Sequence, residues 1–264
     1  MKAIENIVII GAGNVGSHLA IALHNKGFTI SQVAGRREAS VIALAEKVNA
    51  PFTLSFDEVI KGRDLYIVAL SDQAMNMILP KLPLSDELLV HTSGSVPMSL
   101  LSPYSDNVGV FYPLQTFTAQ REMELNDVPF LIEANRIDNE NRLLDLGRML
   151  SEKVLVVNSA QRQALHIAAV FACNFSNHMY DIARKILGEY QLDFDLLSPL
   201  ITETAAKAVV LGPEKSQTGP ARRNDMKIIE EHLGLLQDNM AARDLYKKIT
   251  ESIIDQTKQA DDKL

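Results

Sequence analysis

The sequence predicts an α/β fold: an amino-terminal domain on a doubly wound, parallel sheet, followed by an all-α carboxy-terminal domain. Three observations carry this. The apolar run 7–10 leads into Gly11-Ala12-Gly13-Asn14-Val15-Gly16 and at once into a helix-like pattern. Up to residue 157, short apolar runs alternate with helix-like stretches, the signature of consecutive βαβ units. Beyond Asn158, helix-like stretches follow one another with no convincing strand between them.

Each element has a local reason. Residues 7–10 are continuously apolar, as a strand buried on both faces requires. The helix 17–26 ends at Gly27, a residue suited to a helix terminus. Residues 30–34 form a second strand. The helix 39–48 is stopped by Asn49 and Pro51, and 52–54 is a short third strand. Ser55 and Glu58 have capping-box spacing for a brief helix. Residues 65–70 are a strong fourth strand, with Ser71 or Asp72 placed to cap the next helix. Strands at 88–91, 108–111, 130–133 and 154–157 complete the set, with a helix at 137–150 between the last two. Helices are expected over 159–187, 196–211 and 225–254, with a polar, fraying tail from 255. Two domains result, 1–157 and 158–264.

Composition narrows the function. Hydrophobic residues make up 47% of the 264, enough for a full core, and 26 basic against 33 acidic residues give a net charge of −7. Such an acidic chain lacks the basic stripe that nucleic acid or an anionic membrane would need. No apolar run reaches the ~18–20 residues that span a bilayer. The first strand begins too early to leave room for a signal peptide. The one cysteine, Cys173, cannot form an internal disulfide, in keeping with a reducing cytoplasm. The six histidines are scattered, with no zinc-ligand spacing, so no metal site is expected.

The glycine cluster is the sharpest functional signal. Between a strand and a helix, Gly11 permits the tight turn. Gly13 lets a pyrophosphate approach the backbone, and Gly16 lets the helix lie close on the strand. The free amides of Asn14, Val15 and Gly16 at the helix start would face the anion. The second strand ends in Arg36-Arg37, where an NAD-preferring protein would carry an acid for the ribose hydroxyl. Two guanidinium groups suit a 2′-phosphate, so NADP is expected over NAD; a solvated basic pair is the plainer alternative. Leu70, Ser71 and Asp72, at the carboxyl end of the fourth strand, are placed to line the cofactor, although helix capping also accounts for Ser71 and Asp72.

Substrate-side candidates cluster at the next strand ends. His91 and Ser93 end the fifth strand, where Ser95 could instead be a helix cap. Tyr112 and Gln115 end the sixth, as part of a substrate pocket or of an aromatic-packed turn. On the long helix, His166, Asn174, Asn177 and Asp181 fall within a sector of about 80° at ideal helical phase. A buried polar stripe needs partners, and a catalytic cleft, a satisfied core histidine or a subunit interface would each supply them. In the active-site reading, His166 and Asn174 are the catalytic pair. A histidine of ordinary pKa near 6.5 suits proton transfer near neutrality. Thr218 and Arg223, in a turn between later helices, could bind an anionic substrate group or belong to a solvated loop.

These residues together resemble the Rossmann-like proteins that carry a DUF2520 carboxy-terminal domain. The resemblance runs through the fingerprint, His91-Thr92-Ser93-Gly94, Tyr112-Pro113-Leu114-Gln115-Thr116-Phe117, His166 with Asn174, and Thr218-Gly219-Pro220 followed by Arg223 and Asp225. It extends to β-hydroxyacid dehydrogenases, pyrroline-5-carboxylate reductases and F420-dependent NADP reductases. It implies an NADP-binding Rossmann domain, a helical domain and a homodimer formed through that domain. One departure matters. β-Hydroxyacid dehydrogenases place a lysine four residues before the helix asparagine, and here that position is Val170, leaving His166 as the proton donor. The expectation is an NADP-dependent oxidoreductase moving hydride to or from a small carbonyl, alcohol or imine substrate. A non-catalytic NADP-binding sensor and a dimeric scaffold are the alternatives.

Overall fold

The computed structural model describes residues 3–118 and 123–261. The chain divides into two compact units, Met1–Asn174 and Phe175–Leu264.

The first unit is built on an eight-stranded sheet. Its strands are β1 (Asn6–Ile10), β2 (Thr29–Ala34), β3 (Phe52–Thr53), β4 (Leu65–Val68), β5 (Leu89–His91), β6 (Val108–Pro113), β7 (Phe130–Ala134) and β8 (Val154–Val156), in the spatial order β3-β2-β1-β4-β5-β6-β7-β8. The helices are α1 (Asn14–Asn25), α2 (Glu38–Lys47), α3 (Asp72–Ile78), α4 (Ile137–Leu150) and α5 (Ser159–Ala169). β1 to β6 run parallel. The strand order reverses between β1 and β4, so the crevice beyond their carboxyl ends is the natural ligand position.

Side-chain alternation explains the continuous apolar runs. Ile7 and Ile9 enter one core with Leu19, Leu23 and Phe111, while Val8 and Ile10 enter the opposite core with Met75, Leu79 and Leu101. Both faces of the central strands are therefore covered, as parallel sheets require. One departure from a uniformly parallel sheet occurs at β7, which pairs antiparallel with β6, while β8 is parallel to β7. The described part of the connection from β6 to β7 holds no helix.

Two expected caps take other forms. Residues Phe56–Glu58 make one 3-10 turn, without a side-chain cap from Ser55. The Ser55 hydroxyl donates instead to Asp57, and Glu58 accepts from Thr53. At α3, Ser71 makes no side-chain cap, and the Asp72 carboxylate turns to the loop after β5. α5, by contrast, starts on a full capping box: Asn158 accepts from the Gln161 amide, and Gln161 accepts from the Asn158 amide.

The helical stretch expected over 159–187 is not uniform. Val170–Phe175 is π-helical, and the division between the units falls within it. A π turn carries about one extra residue and rotates the following positions by roughly 100° relative to an unbroken α-helix. The shared sector computed for His166, Asn174, Asn177 and Asp181 therefore does not hold. Strands stop at Val156, yet the first compact unit continues through α5, because α5 bonds directly to the strand-end loops.

The second unit holds α6 (Ser176–Glu189), α7 (Ser198–Leu211), the single turn α8 (Pro213–Ser216), α9 (Met226–Leu235) and α10 (Met240–Asp261). Asp225 caps α9 through the Ile228 amide, and Asn239 accepts from the Ala242 amide at the start of α10. The stretch expected as one helix over 225–254 is thus two, and α10 runs on through most of the expected tail. Little of this unit is buried, and Val209 and Val210 are about four-fifths exposed (85% and 79%). Among the described residues, no helix is long and apolar enough to cross a membrane.

Candidate active site

A cavity of about 1620 Å³ lies in the first unit, reaching from the glycine turn and Arg37 to Ser93, Tyr112 and His166. The three fingerprint glycines meet different surroundings. An added Cβ at Gly11 would sit 2.3 Å from the Ala69 carbonyl oxygen, and its φ of +114° already excludes most side chains. One at Gly16 would sit 1.9 Å from the Gly11 carbonyl oxygen, so this glycine lets α1 close on the turn. At Gly13 an added Cβ would meet nothing within 4 Å. Gly13 borders the cavity and precedes α1, which has no side-chain cap at its start. The amide-rich end of α1 is thus available to an anion. A dinucleotide diphosphate fits this cradle.

Asn14 also donates to the Phe117 carbonyl oxygen (3.0 Å), and the His18 and Phe117 rings lie 4.9 Å apart. The segment after β6 is thereby tied to the first turns of α1. Val15, Leu70, Ser71 and Asp72 line the same cavity. Arg36 and Arg37 are both exposed at the carboxyl end of β2, and Arg37, immediately before α2, borders the cavity.

The loop after β5 is a closed hydrogen-bond system. The Ser93 hydroxyl donates to Asp72 Oδ1 (2.9 Å) and accepts from the amides of Ser95 (3.2 Å) and Val96 (3.1 Å). A hydroxyl has one donor and two acceptor positions, so Ser93 is fully engaged within its own loop. Ser95 donates to Asp72 Oδ2 (2.7 Å) rather than capping a helix, and Met98–Leu101 forms a 3-10 turn whose first amide is met by Ser159. His91 lies behind this loop. It is fully buried, its Nδ1 accepts the Ser93 amide (3.1 Å), and it does not border the cavity. Burial, reinforced by the Arg162 cation, lowers its pKa from 6.5 to about 4, against the opposing pull of the Pro97 carbonyl and Asp72. His91 is therefore neutral and supports the loop.

α5 is pinned to that loop. Arg162, fully buried, pairs with Glu133 of β7 and donates to the Val96 carbonyl oxygen (2.5 Å) and to Ser159 (3.2 Å). Gln163 donates to the Ser95 carbonyl oxygen (2.7 Å). One turn beyond Arg162, His166 reaches the cavity, and its Nδ1 is 3.1 Å from the Tyr112 hydroxyl. The ring rests on Gly94, where an added Cβ would sit 2.5 Å from His166 Nδ1. Burial holds the Tyr112 hydroxyl above its usual pKa, with Arg162 pulling the other way.

The structure therefore brings together the glycine turn, Asp72, Ser93, Tyr112, Gln115 and His166. Gln115 borders the cavity, its Oε1 accepting the Thr116 amide (2.8 Å). Asn174 is exposed and does not border it. Thr218 and Arg223 lie in the second unit, in the turn before α9. Sequence reasoning missed Arg162, Glu133 and the role of Gly94. The one available signal was that Arg162 stands four residues before His166, on the same helical face. Among the described residues, no group of three or more His, Cys, Asp or Glu could hold a metal ion.

Fold and cavity define a dinucleotide-binding Rossmann domain joined to a helical region. Residues 6–94 match a family model described as NADP oxidoreductase, coenzyme F420-dependent, and residues 128–253 match a domain of unknown function, DUF2520. The chain belongs to the Rossmann-like DUF2520 proteins. A candidate NADP oxidoreductase from Bacteroides fragilis is 44% identical, with a TM-score of 0.91 over 96% of this chain and 98% of that one. A protein from Thermotoga maritima is 20% identical (TM-score 0.80, 96% and 99% covered). An imine reductase from Myxococcus stipitatus in complex with NADP+ shares the fold at 16% identity (TM-score 0.67, 97% and 93% covered). No curated protein matches the chain.

Proposed function

We propose that this protein is an NADP-dependent oxidoreductase acting on a small carbonyl, alcohol or imine substrate. The observation that carries this is one cavity holding both an unobstructed Gly13 and the Tyr112–His166 pair. The 44% identity to the Bacteroides fragilis protein supports the cofactor class. NADP would supply the hydride. Gly13 and the first amides of α1 would hold its diphosphate, and Arg37, with Arg36 beside it, its 2′-phosphate. His166 would give a proton to, or take one from, the substrate heteroatom. Asn174, exposed in the first unit, and Thr218 and Arg223, in the second, do not border this cavity and are given no step in this chemistry. Large apolar side chains of the second unit are exposed, Leu200, Val209 and Val210 among them, and a homodimer formed there would cover them. The lone cysteine suits the cytoplasm.

The test is NADPH consumption against a panel of small carbonyls and imines, with NADPH affinity measured alongside. His166→Ala should abolish turnover and leave NADPH affinity intact. Unchanged turnover in that variant removes His166 from the chemistry. NADPH binding without turnover of any substrate leaves a sensor, and absence of binding leaves a scaffold.

A further inference from the structure

We propose that Tyr112 is a positioning residue that reserves Nδ1 of His166 and so makes Nε2 the nitrogen that exchanges a proton with substrate. This rests on the role of His166 proposed above.

Four contacts set the imidazole. Arg162 and Gln163 bind the carbonyl oxygens of Val96 and Ser95, fixing α5 on the loop. The His166 ring then lies against Gly94, whose added Cβ would be 2.5 Å from Nδ1 and 2.6 Å from Cγ. The Nδ1 edge is therefore the one turned to the loop, and the Tyr112 hydroxyl meets it at 3.1 Å. Nε2 is at the opposite end of the ring, on a residue that borders the cavity.

A phenol can both donate and accept. With His166 cationic, Nδ1–H donates to the Tyr112 oxygen. Nε2–H can then pass to a substrate oxygen or nitrogen while hydride reaches the adjoining carbon. The C=X double bond becomes CH–XH, and the imidazole is left neutral. The neutral ring that remains keeps its hydrogen on Nδ1, still donated to the Tyr112 oxygen, and presents a bare Nε2 that can take the next proton. The contact survives both states, so the ring need not reorient between turnovers. Two hydroxyls of this wall have another partner: Ser93 and Ser95 are both bound to Asp72.

The experiment is nitrogen-15 NMR of the histidine side chains in the full-length protein, for wild type and Tyr112→Phe, with turnover and NADPH affinity measured on both. Wild type should show neutral His166 as a single Nδ1–H tautomer. Tyr112→Phe removes only the hydroxyl, and should show averaged tautomers, about a tenfold or greater loss of kcat, and NADPH affinity within about twofold. A mixed tautomer in wild type, or a Phe variant with the same tautomer and kcat, overturns the proposal. The NMR readout needs no substrate, so failure to find a reaction does not disguise failure of the inference.

Discussion

Gly13→Ala should uncouple cofactor affinity from folding. In the fold, the new methyl meets nothing within 4 Å, and the backbone at φ −88° and ψ −173° accommodates alanine. Reduced freedom of the unfolded chain favours alanine by about 0.4–1 kcal/mol. Alanine is a poorer residue than glycine at a helix start by a similar amount, so the two effects nearly cancel. Unfolding in urea should therefore shift by less than about 0.5 kcal/mol. The methyl nevertheless occupies the space through which a diphosphate would reach the amides of α1. Loss of that approach should weaken NADPH binding by at least tenfold, or about 1.4 kcal/mol. Gly11→Ala is the control: its Cβ would stand 2.3 Å from a backbone oxygen at φ +114°, so it should destabilise the fold itself, by about 2 kcal/mol or more. Calorimetric titration with NADPH beside urea unfolding gives both numbers. A Gly13→Ala variant that is folded and binds NADPH as tightly as wild type would refute this seat for the diphosphate.

Two further outcomes follow from the buried ionisable groups. Glu133→Gln leaves the fully buried Arg162 guanidinium without its counter-ion and should cost about 3 kcal/mol in urea unfolding, whereas the double change Arg162→Met with Glu133→Leu should recover most of it; a Glu133→Gln variant as stable as wild type contradicts this. His91 is held neutral with its pKa lowered from 6.5 to about 4, so the unfolded chain binds the extra proton between those values. Stability from this residue is complete above about pH 6.5 and falls as pH drops toward 4, by about 3 kcal/mol in all. His91→Asn, which keeps an acceptor for the Ser93 amide, should flatten that part of the pH–stability curve, and an unchanged slope would show that the titration lies elsewhere.

Periodicity and glycine spacing made much of the fold legible. Every strand expected from an apolar run is present; the central ones are apolar along their length because they are buried on both faces, whereas β3 and β8 stand at the sheet edges and are partly exposed. The steric settings of Gly11, a turn at positive φ, and of Gly16, a close helix contact, are as expected, and an added Cβ at Gly13 would meet open space, because such settings are local properties. Misreadings began where a residue had a choice of partners. Ser55 has a capping position but its hydroxyl goes to Asp57, and Ser71, immediately before α3, makes no side-chain cap. Asn174 was placed by counting along an ideal helix, and the π turn at Val170–Phe175 invalidates that count.

The sequence by itself determined the strand and helix order, the glycine cradle and the change from strands to helices, because each is written in spacing along the chain. The tertiary structure alone decided that β7 runs against β6, that His91 is a buried support, and that Ser93 is bound up with Asp72. It alone brought Arg162 to Glu133 and Tyr112 to His166, pairs 29 and 54 residues apart in the chain. Hydrogen bonding and charge pairing depend on which groups arrive together and on how much water is left around them. Those quantities exist only once distant segments have packed.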